Sequence, residues 1–241
     1  NEYWKQTYKN NQDVVYARLP ISFDIPDNIN QKDFQVELYY NLIDILETKG
    51  YQVNLKIEEL NTAAIIEELK NGKLDAGIAA TPLDDVKIIE KPLYYEPFVG
   101  YIPEPHPLSK LKTLALSDLE KMDVLVLEDG HCFRDHVLKI CQTPNFSHTF
   151  NLKSGSFETL IHLANDGLGM TLLPYLQTRN LTPQNAKNLR SFESPEPARE
   201  ISLIYSKSQL KLPIIESLSA TIESLMRGAI KFDNIKVVTP N

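Results

Sequence analysis

The sequence predicts an α/β fold in two lobes, with a ligand cleft between them at the carboxyl ends of the strands. Three observations carry this reading. Strand-like and helical periods alternate as β-α-β-α-β over residues 14–80. A second set of strands and helices follows between residues 116 and 173. The acidic, proline-bearing stretch Glu193-Ser194-Pro195-Glu196-Pro197 reads as a crossing between two subdomains.

The elements follow in order. Val14 to Ile21 is rich in β-branched and apolar residues and ends at Pro20 and Ser22, so it reads as a strand. Residues 23–33 form a polar loop. Phe34 to Lys49 places Val36, Leu38, Tyr39, Leu42, Ile43 and Ile45 at helical spacing, and Gly50 stops it. Tyr51 to Glu58 alternates as a strand, with Val53, Leu55 and Ile57 on one face. Asn61 or Thr62 caps a helix that runs through Leu69, and Asn71-Gly72 ends it. Leu74 to Ala80 is a short apolar strand of the kind found in a parallel sheet covered on both faces.

Leu93 to Ile102 is apolar and aromatic, and Pro103, Pro105 and Pro107 punctuate its end. Leu116 to Lys121 reads as a short helix and Asp123 to Leu127 as a buried strand. Glu128-Asp129-Gly130 turns into a helix from His131 to Cys141. Ser156 to Asp166 is an amphipathic helix closed by Gly167, and Met170 to Leu173 is a strand ending in Pro174. Ile201 to Tyr205 is a strand and Ile214 to Arg227 a helix.

Composition narrows the function. Of 241 residues, 42% are hydrophobic and 24% charged, the balance of a globular chain. No apolar run approaches the ~20 residues that span a bilayer, so no membrane partner is expected. The start, Asn1-Glu2-Tyr3-Trp4-Lys5, is not a secretory signal and lacks an initiator Met, which suggests a processed or truncated product of the cytoplasm. A net charge of −7 argues against direct nucleic-acid contact by this chain.

Two cysteines are too few for a disulfide scaffold at this length. The pair is incidental, metal-binding or redox-active, and two thiols nine residues apart without C-x-x-C do not make a zinc site. No metal or cofactor is expected. His136, His148 and His162 show no ligand spacing, His106 sits among prolines, and Asp84-Asp85 reads as a loop charge pair. No Ser-His-Asp order and no phosphate loop is present, so nothing points to hydrolase or nucleotide chemistry.

Several segments resemble the LysR-type effector domains. They are Leu69-Lys70-Asn71-Gly72-Lys73-Leu74-Asp75, Pro92-Leu93-Tyr94-Tyr95-Glu96-Pro97 and Gly167-Leu168-Gly169-Met170-Thr171-Leu172-Leu173-Pro174. Within that family, Leu127-Glu128-Asp129-Gly130-His131-Cys132-Phe133-Arg134-Asp135, with Cys141 nine residues after Cys132, is similar to the OxyR subfamily of peroxide sensors. Ser156-Phe157-Glu158-Thr159-Leu160 and Pro195-Glu196-Pro197-Ala198-Arg199 match it too. The resemblance covers roughly residues 55–230. Earlier, Ile21-Ser22 and a longer loop stand where that subfamily has a Pro-Thr turn.

The resemblance implies a periplasmic-binding-protein-like, type 2 effector fold, with residues 1–95 and 201–241 as subdomain I and 96–200 as subdomain II. It implies a regulator rather than an enzyme, a homo-oligomer, and DNA contact through a helix-turn-helix not in this chain. It makes Cys132 the peroxidatic thiol and Cys141 the resolving one, with Thr62, His131, Asp135, Arg199 and Ser22 as peroxide-binding candidates. A thioredoxin or glutaredoxin is the implied reductant. The competing function is a metabolite-binding effector domain or solute-binding protein.

The chemistry behind those roles is general. Only a thiolate attacks peroxide, and a cysteine of ordinary pKa, about 8.5, is mostly protonated at neutral pH. Cys132 falls in the first turn of its helix, where the dipole favours an anion. Asp135, three residues on, shares its face. Core packing is the competing role for Cys141, beside Val137, Leu138 and Ile140. Helix capping competes for Thr62, and a surface ion pair with Glu196 or Glu200 competes for Arg199.

Overall fold

The structure is a computed structural model that describes residues 14–16, 48, 54–56, 60–120, 122, 124–127, 132–141, 156–179, 181–229 and 235–239. Ser22, His131, the loop at 23–33 and nearly all of the expected helix Phe34–Lys49 lie outside the described residues.

β1 (Val14–Tyr16) and β2 (Asn54–Lys56) pair in parallel. α1 (Thr62–Lys70) starts at Asn61, whose Oδ1 accepts the Ala64 N–H at 2.9 Å. Of the two capping candidates Asn61 is therefore the cap, and Thr62 is the first helical residue. A residue in helical conformation cannot fold its side chain back onto the N2 or N3 amide as a cap does. Ile65 and Leu69, one turn apart, are the buried face of α1. The chain leaves the helix at Gly72, with φ 67°, a conformation open to glycine at no steric cost.

β3 (Gly77–Thr81) is buried at every residue, as its apolar run requires. The expected parallel ladder is not the one described for it. β3 pairs antiparallel with β9 (Glu196–Ser206), from Gly77 opposite Ile204 to Thr81 opposite Glu200. The later strand β9 runs back along β3, which reverses the direction of pairing.

The crossings are longer than the sequence suggests. β4 (Ile88–Tyr101) begins well before Leu93, and β9 begins at Glu196 rather than Ile201. The reason is proline. Pro92 and Pro197 each lack a ladder donor and read as lying outside the strands. The ladder absorbs Pro92 at a register irregularity between Pro92 and Tyr94. From Ile88 to Pro97, β4 pairs antiparallel with β9. From Phe98 to Tyr101 it pairs with β7 (Met170–Pro174), and Gly100 and Tyr101 also face β8 (Leu189–Phe192). One strand thus serves both halves of the sheet, whose order is β10 (Ile235–Val237), β9, β4, β7, β6 (Val124–Leu125). β5 (Thr113–Leu114) pairs with β8.

α2 (Cys132–Cys141) buries Phe133, His136, Val137, Ile140 and Cys141, one stripe at helical spacing. α3 (Phe157–Asn165) buries Phe157, Leu160, Ile161 and Ala164 in the same way. The expected helix at 116–121 is a 3-10 turn, Leu116–Leu119. The single turns α4 (Tyr175–Thr178) and α5 (Pro183–Ala186) are too short to show a hydrophobic period. α6 (Leu212–Ala229) extends two residues beyond the expected helix at each end.

The apolar interior includes a small cluster of Ile65, Leu69, Leu74, Ala79, Ile88 and Ile204. A larger cluster is built around Phe98, Tyr101, Phe133 and Phe157 and includes Cys141. Among the described residues no helix is long and apolar enough to cross a membrane.

Candidate functional site

The two cysteines open and close α2, which is helical throughout. Nine residues of α-helix separate their Cα atoms by about 13.5 Å along the axis. A disulfide needs Cα atoms within about 7 Å. The intact helix therefore holds the two apart. Cys132 begins the helix, where the first N–H groups have no helical acceptor and favour an anion. Cys141 is 1% exposed, and burial pushes its thiol up to about 12, so it is a neutral thiol at neutral pH. It packs in the larger apolar cluster, which gives it a packing role in this state.

Phe133 follows Cys132 and is buried. Its ring stands 5.3 Å from that of Phe98 on β4, and 4.9 Å from that of Phe157 on α3 at 85°, an edge-to-face contact. His136 is fully buried one turn further on, with its ring 5.9 Å from that of Phe98. Asp135 is half-buried, 3.7 Å from Arg134 Nη1.

Arg199 departs from expectation. It does not pair at the surface with Glu196 or Glu200. Cross-strand register sets it opposite Glu96, and its Nε and Nη2 donate to Glu96 Oε2 at 3.0 and 2.7 Å. Both side chains are buried. The other oxygen, Glu96 Oε1, accepts the Leu176 N–H of α4 at 3.1 Å. The Arg199 guanidinium also lies over the Phe133 ring, 5.1 Å from its centroid. Burial pushes the nearby Tyr94 phenol up, Glu96 adds to this and Arg199 opposes it.

The opposite face of the same strands carries a polar cluster. Glu200 accepts from Thr81 Oγ1 and Tyr95 Oη, each at 2.9 Å, and Thr81 shares a 2.7 Å hydrogen bond with Ser202. That bond to Glu200, more than burial, holds the Tyr95 phenol above its ordinary range.

The described contacts thus join Arg199 to the first turn of α2. Thr62 stands half-buried at the start of α1, on a separate element. Glu96 and Phe133 were not singled out from the sequence, and His136 was weighed only as a metal ligand. Glu96 and Arg199 are 103 residues apart and meet only through strand register. Phe133 and His136 do share a helical stripe with Val137, Ile140 and Cys141, a signal present in the sequence.

A protein-family model, the LysR substrate binding domain, matches residues 34–227. The chain belongs to this LysR family. Among its relatives is a hydrogen peroxide-inducible genes activator of Pectobacterium carotovorum subsp. carotovorum, 31% identical over 187 residues, 78% of this chain and 62% of that protein. The DNA-binding transcriptional dual regulator OxyR of Escherichia coli (strain K12) is 30% identical over 195 residues, 81% of this chain and 63% of that protein. This LysR-family chain therefore spans about three fifths of the length of these relatives. The reduced OxyR regulatory domain from Pseudomonas aeruginosa is similar in structure, with TM-score 0.68 and 28% identity over 88% of this chain and 98% of that one. An OxyR mutant from Porphyromonas gingivalis shares the fold, with TM-score 0.72 and 22% identity over 94% of this chain and 100% of that one.

Proposed function

We propose that this chain is the regulatory domain of a peroxide-sensing LysR-type transcription activator, and that Cys132 and Cys141 are its thiol–disulfide switch. The observation that carries the reading is the placement of the two cysteines at opposite ends of one continuous helix. Its likeness to hydrogen peroxide-inducible activators supports the same reading.

The Cys132 thiolate attacks one peroxide oxygen and the O–O bond breaks, leaving sulfenic acid and, after protonation, water. The Cys141 thiol then attacks the sulfenic sulfur, forming the S–S bond and releasing a second water. Two thiols and one hydrogen peroxide give one disulfide and two waters. A thioredoxin- or glutaredoxin-type dithiol reverses the oxidation. His131, Thr62, Asp135, Arg199 and Ser22 line the peroxide site in this proposal.

Because the disulfide cannot span an intact α2, its formation unwinds the helix. Residues 96–200 form the subdomain that carries this switch, and residues 1–95 with 201–241 form the other. The domain acts in the cytoplasm within a homo-oligomer, and a separate module of the full protein contacts DNA.

The test is a brief peroxide pulse at near-stoichiometric dose, read by thiol mass spectrometry. The expected result is loss of two hydrogens at Cys132–Cys141. Cys132→Ser should abolish the fast reaction, and Cys141→Ser should trap sulfenic acid. Thiols that stay unreacted, with a co-purified metabolite in the cleft, favour the effector-binding reading. Sustained peroxide consumption with a reductant favours a thiol peroxidase.

A further inference from the structure

A helix that must unwind to complete a reaction is a balance between two states. Every contact made only in the helical state weighs against the reaction. The question is which contacts hold the reactive end of α2 in place.

One side chain gathers them. Phe133 lies one residue after Cys132, is 2% exposed, and meets three separate elements. Phe98 belongs to the crossing strand β4, Phe157 to α3, and Arg199 to the crossing strand β9. Arg199 is in turn fixed by two hydrogen bonds to Glu96, which also receives the Leu176 N–H. The ring is thus pinned between two aromatic rings and a guanidinium that cannot turn away without leaving Glu96 buried and uncompensated.

We propose that Phe133 is a positioning residue that sets the reduction potential of the Cys132–Cys141 couple. This rests on the thiol-switch reading above. The couple exchanges two electrons and two protons: the disulfide and two glutathione thiols give two cysteine thiols and one glutathione disulfide. Bringing Cys132 to Cys141 unwinds α2 and draws Phe133 out of its three contacts. Those contacts stabilise the dithiol form and are absent from the disulfide form. Phe133 therefore makes the couple more oxidising, so that the sensor stays reduced in an ordinary thiol pool and is reset readily. A side chain that stabilised both forms equally would leave the potential where it was.

The experiment equilibrates the 241-residue chain with glutathione buffers of graded redox ratio and reads the oxidised fraction by mass spectrometry. Phe133→Ala should shift the equilibrium about tenfold toward the disulfide, equivalent to about 30 mV in the reducing direction. Phe133→Leu keeps apolar bulk but offers Arg199 no ring, and should fall between. If Phe133→Ala does not fold, Phe133→Leu decides alone, with an expected shift of about threefold. Folded variants that titrate within about twofold of wild type, or shift toward the dithiol, overturn the proposal while leaving the switch intact. A wild-type chain that never bridges Cys132 and Cys141 at any ratio instead removes the switch reading itself, and the proposal with it.

Discussion

Glu96 and Arg199 face each other across the paired strands β4 and β9, Oε2 to Nη2 at 2.7 Å, with both side chains buried. Neither strand alone explains the pair. It exists because β4 and β9 run antiparallel in a register that sets residue 96 opposite residue 199. The same carboxylate secures the start of α4, and the same guanidinium covers Phe133. The crossing and the first turn of α2 are therefore one packed unit.

Breaking this pair on one side should be far more costly than removing it whole. Glu96→Ala or Arg199→Ala leaves a buried charge without its partner, and each is expected to cost about 3–5 kcal/mol. Glu96→Met with Arg199→Leu removes both charges and should cost well below the sum of the singles. Urea unfolding at pH 7 measures all three. Single-variant losses under about 1 kcal/mol, the range of a surface pair, contradict the burial argument.

At the start of α1 the cap is a choice between neighbours. Asn61→Ala removes the acceptor for the Ala64 N–H and should destabilise by about 1 kcal/mol. Thr62→Ala should change stability by no more than about 0.5 kcal/mol. Chemical denaturation of the two variants side by side checks this, and a larger loss from Thr62→Ala reverses the assignment.

The helices were legible wherever a stripe ran for two turns or more. Ile65 and Leu69, or Phe157, Leu160, Ile161 and Ala164, repeat at a period that only a helix buries. The crossings were legible in place but not in extent, because Pro92 and Pro197 are strand breakers by local chemistry and strand interiors by tertiary pairing. Cys132, Cys141 and Arg199 were visible through the segments around them. The Arg199 partner was not, because Glu196 and Glu200 are its neighbours in sequence while Glu96 is its neighbour in space. No local pattern encodes a register between strands a hundred residues apart.

Burial of Cys141 makes stability depend on alkaline pH. Its folded pKa, about 12, stands well above the ordinary thiol range, and the cause is desolvation of the thiolate. A raised folded pKa means that the unfolded chain gives up the proton first. The stabilising contribution is full below pH 9 and is lost as pH rises toward 12. Between those limits the unfolding free energy should fall by up to about 1.4 kcal/mol per pH unit more steeply in the reduced parent than in Cys141→Ser. Urea titrations at steps between pH 8 and 11, done on both proteins in excess reductant, isolate the difference from all other titrating groups. Equal slopes would show that the thiol reaches solvent in the folded state.

Oxidation should cost α2 its helix. The S–S bond demands Cα atoms within about 7 Å, and the helix holds them about twice as far apart. The stripe of Phe133, His136, Val137, Ile140 and Cys141 cannot stay buried as a unit while both ends of the segment converge. After a peroxide pulse, amide hydrogen exchange across residues 132–141 should rise sharply, and far-UV dichroism should lose the signal of about ten helical residues. The control is Cys141→Ser under the same pulse. There the sulfenic acid forms but has no partner, so nothing pulls the ends together and the amides of α2 should keep their protection. If they lose it in Cys141→Ser as well, oxidation of Cys132 alone melts the helix, and the bridge follows the unwinding instead of driving it.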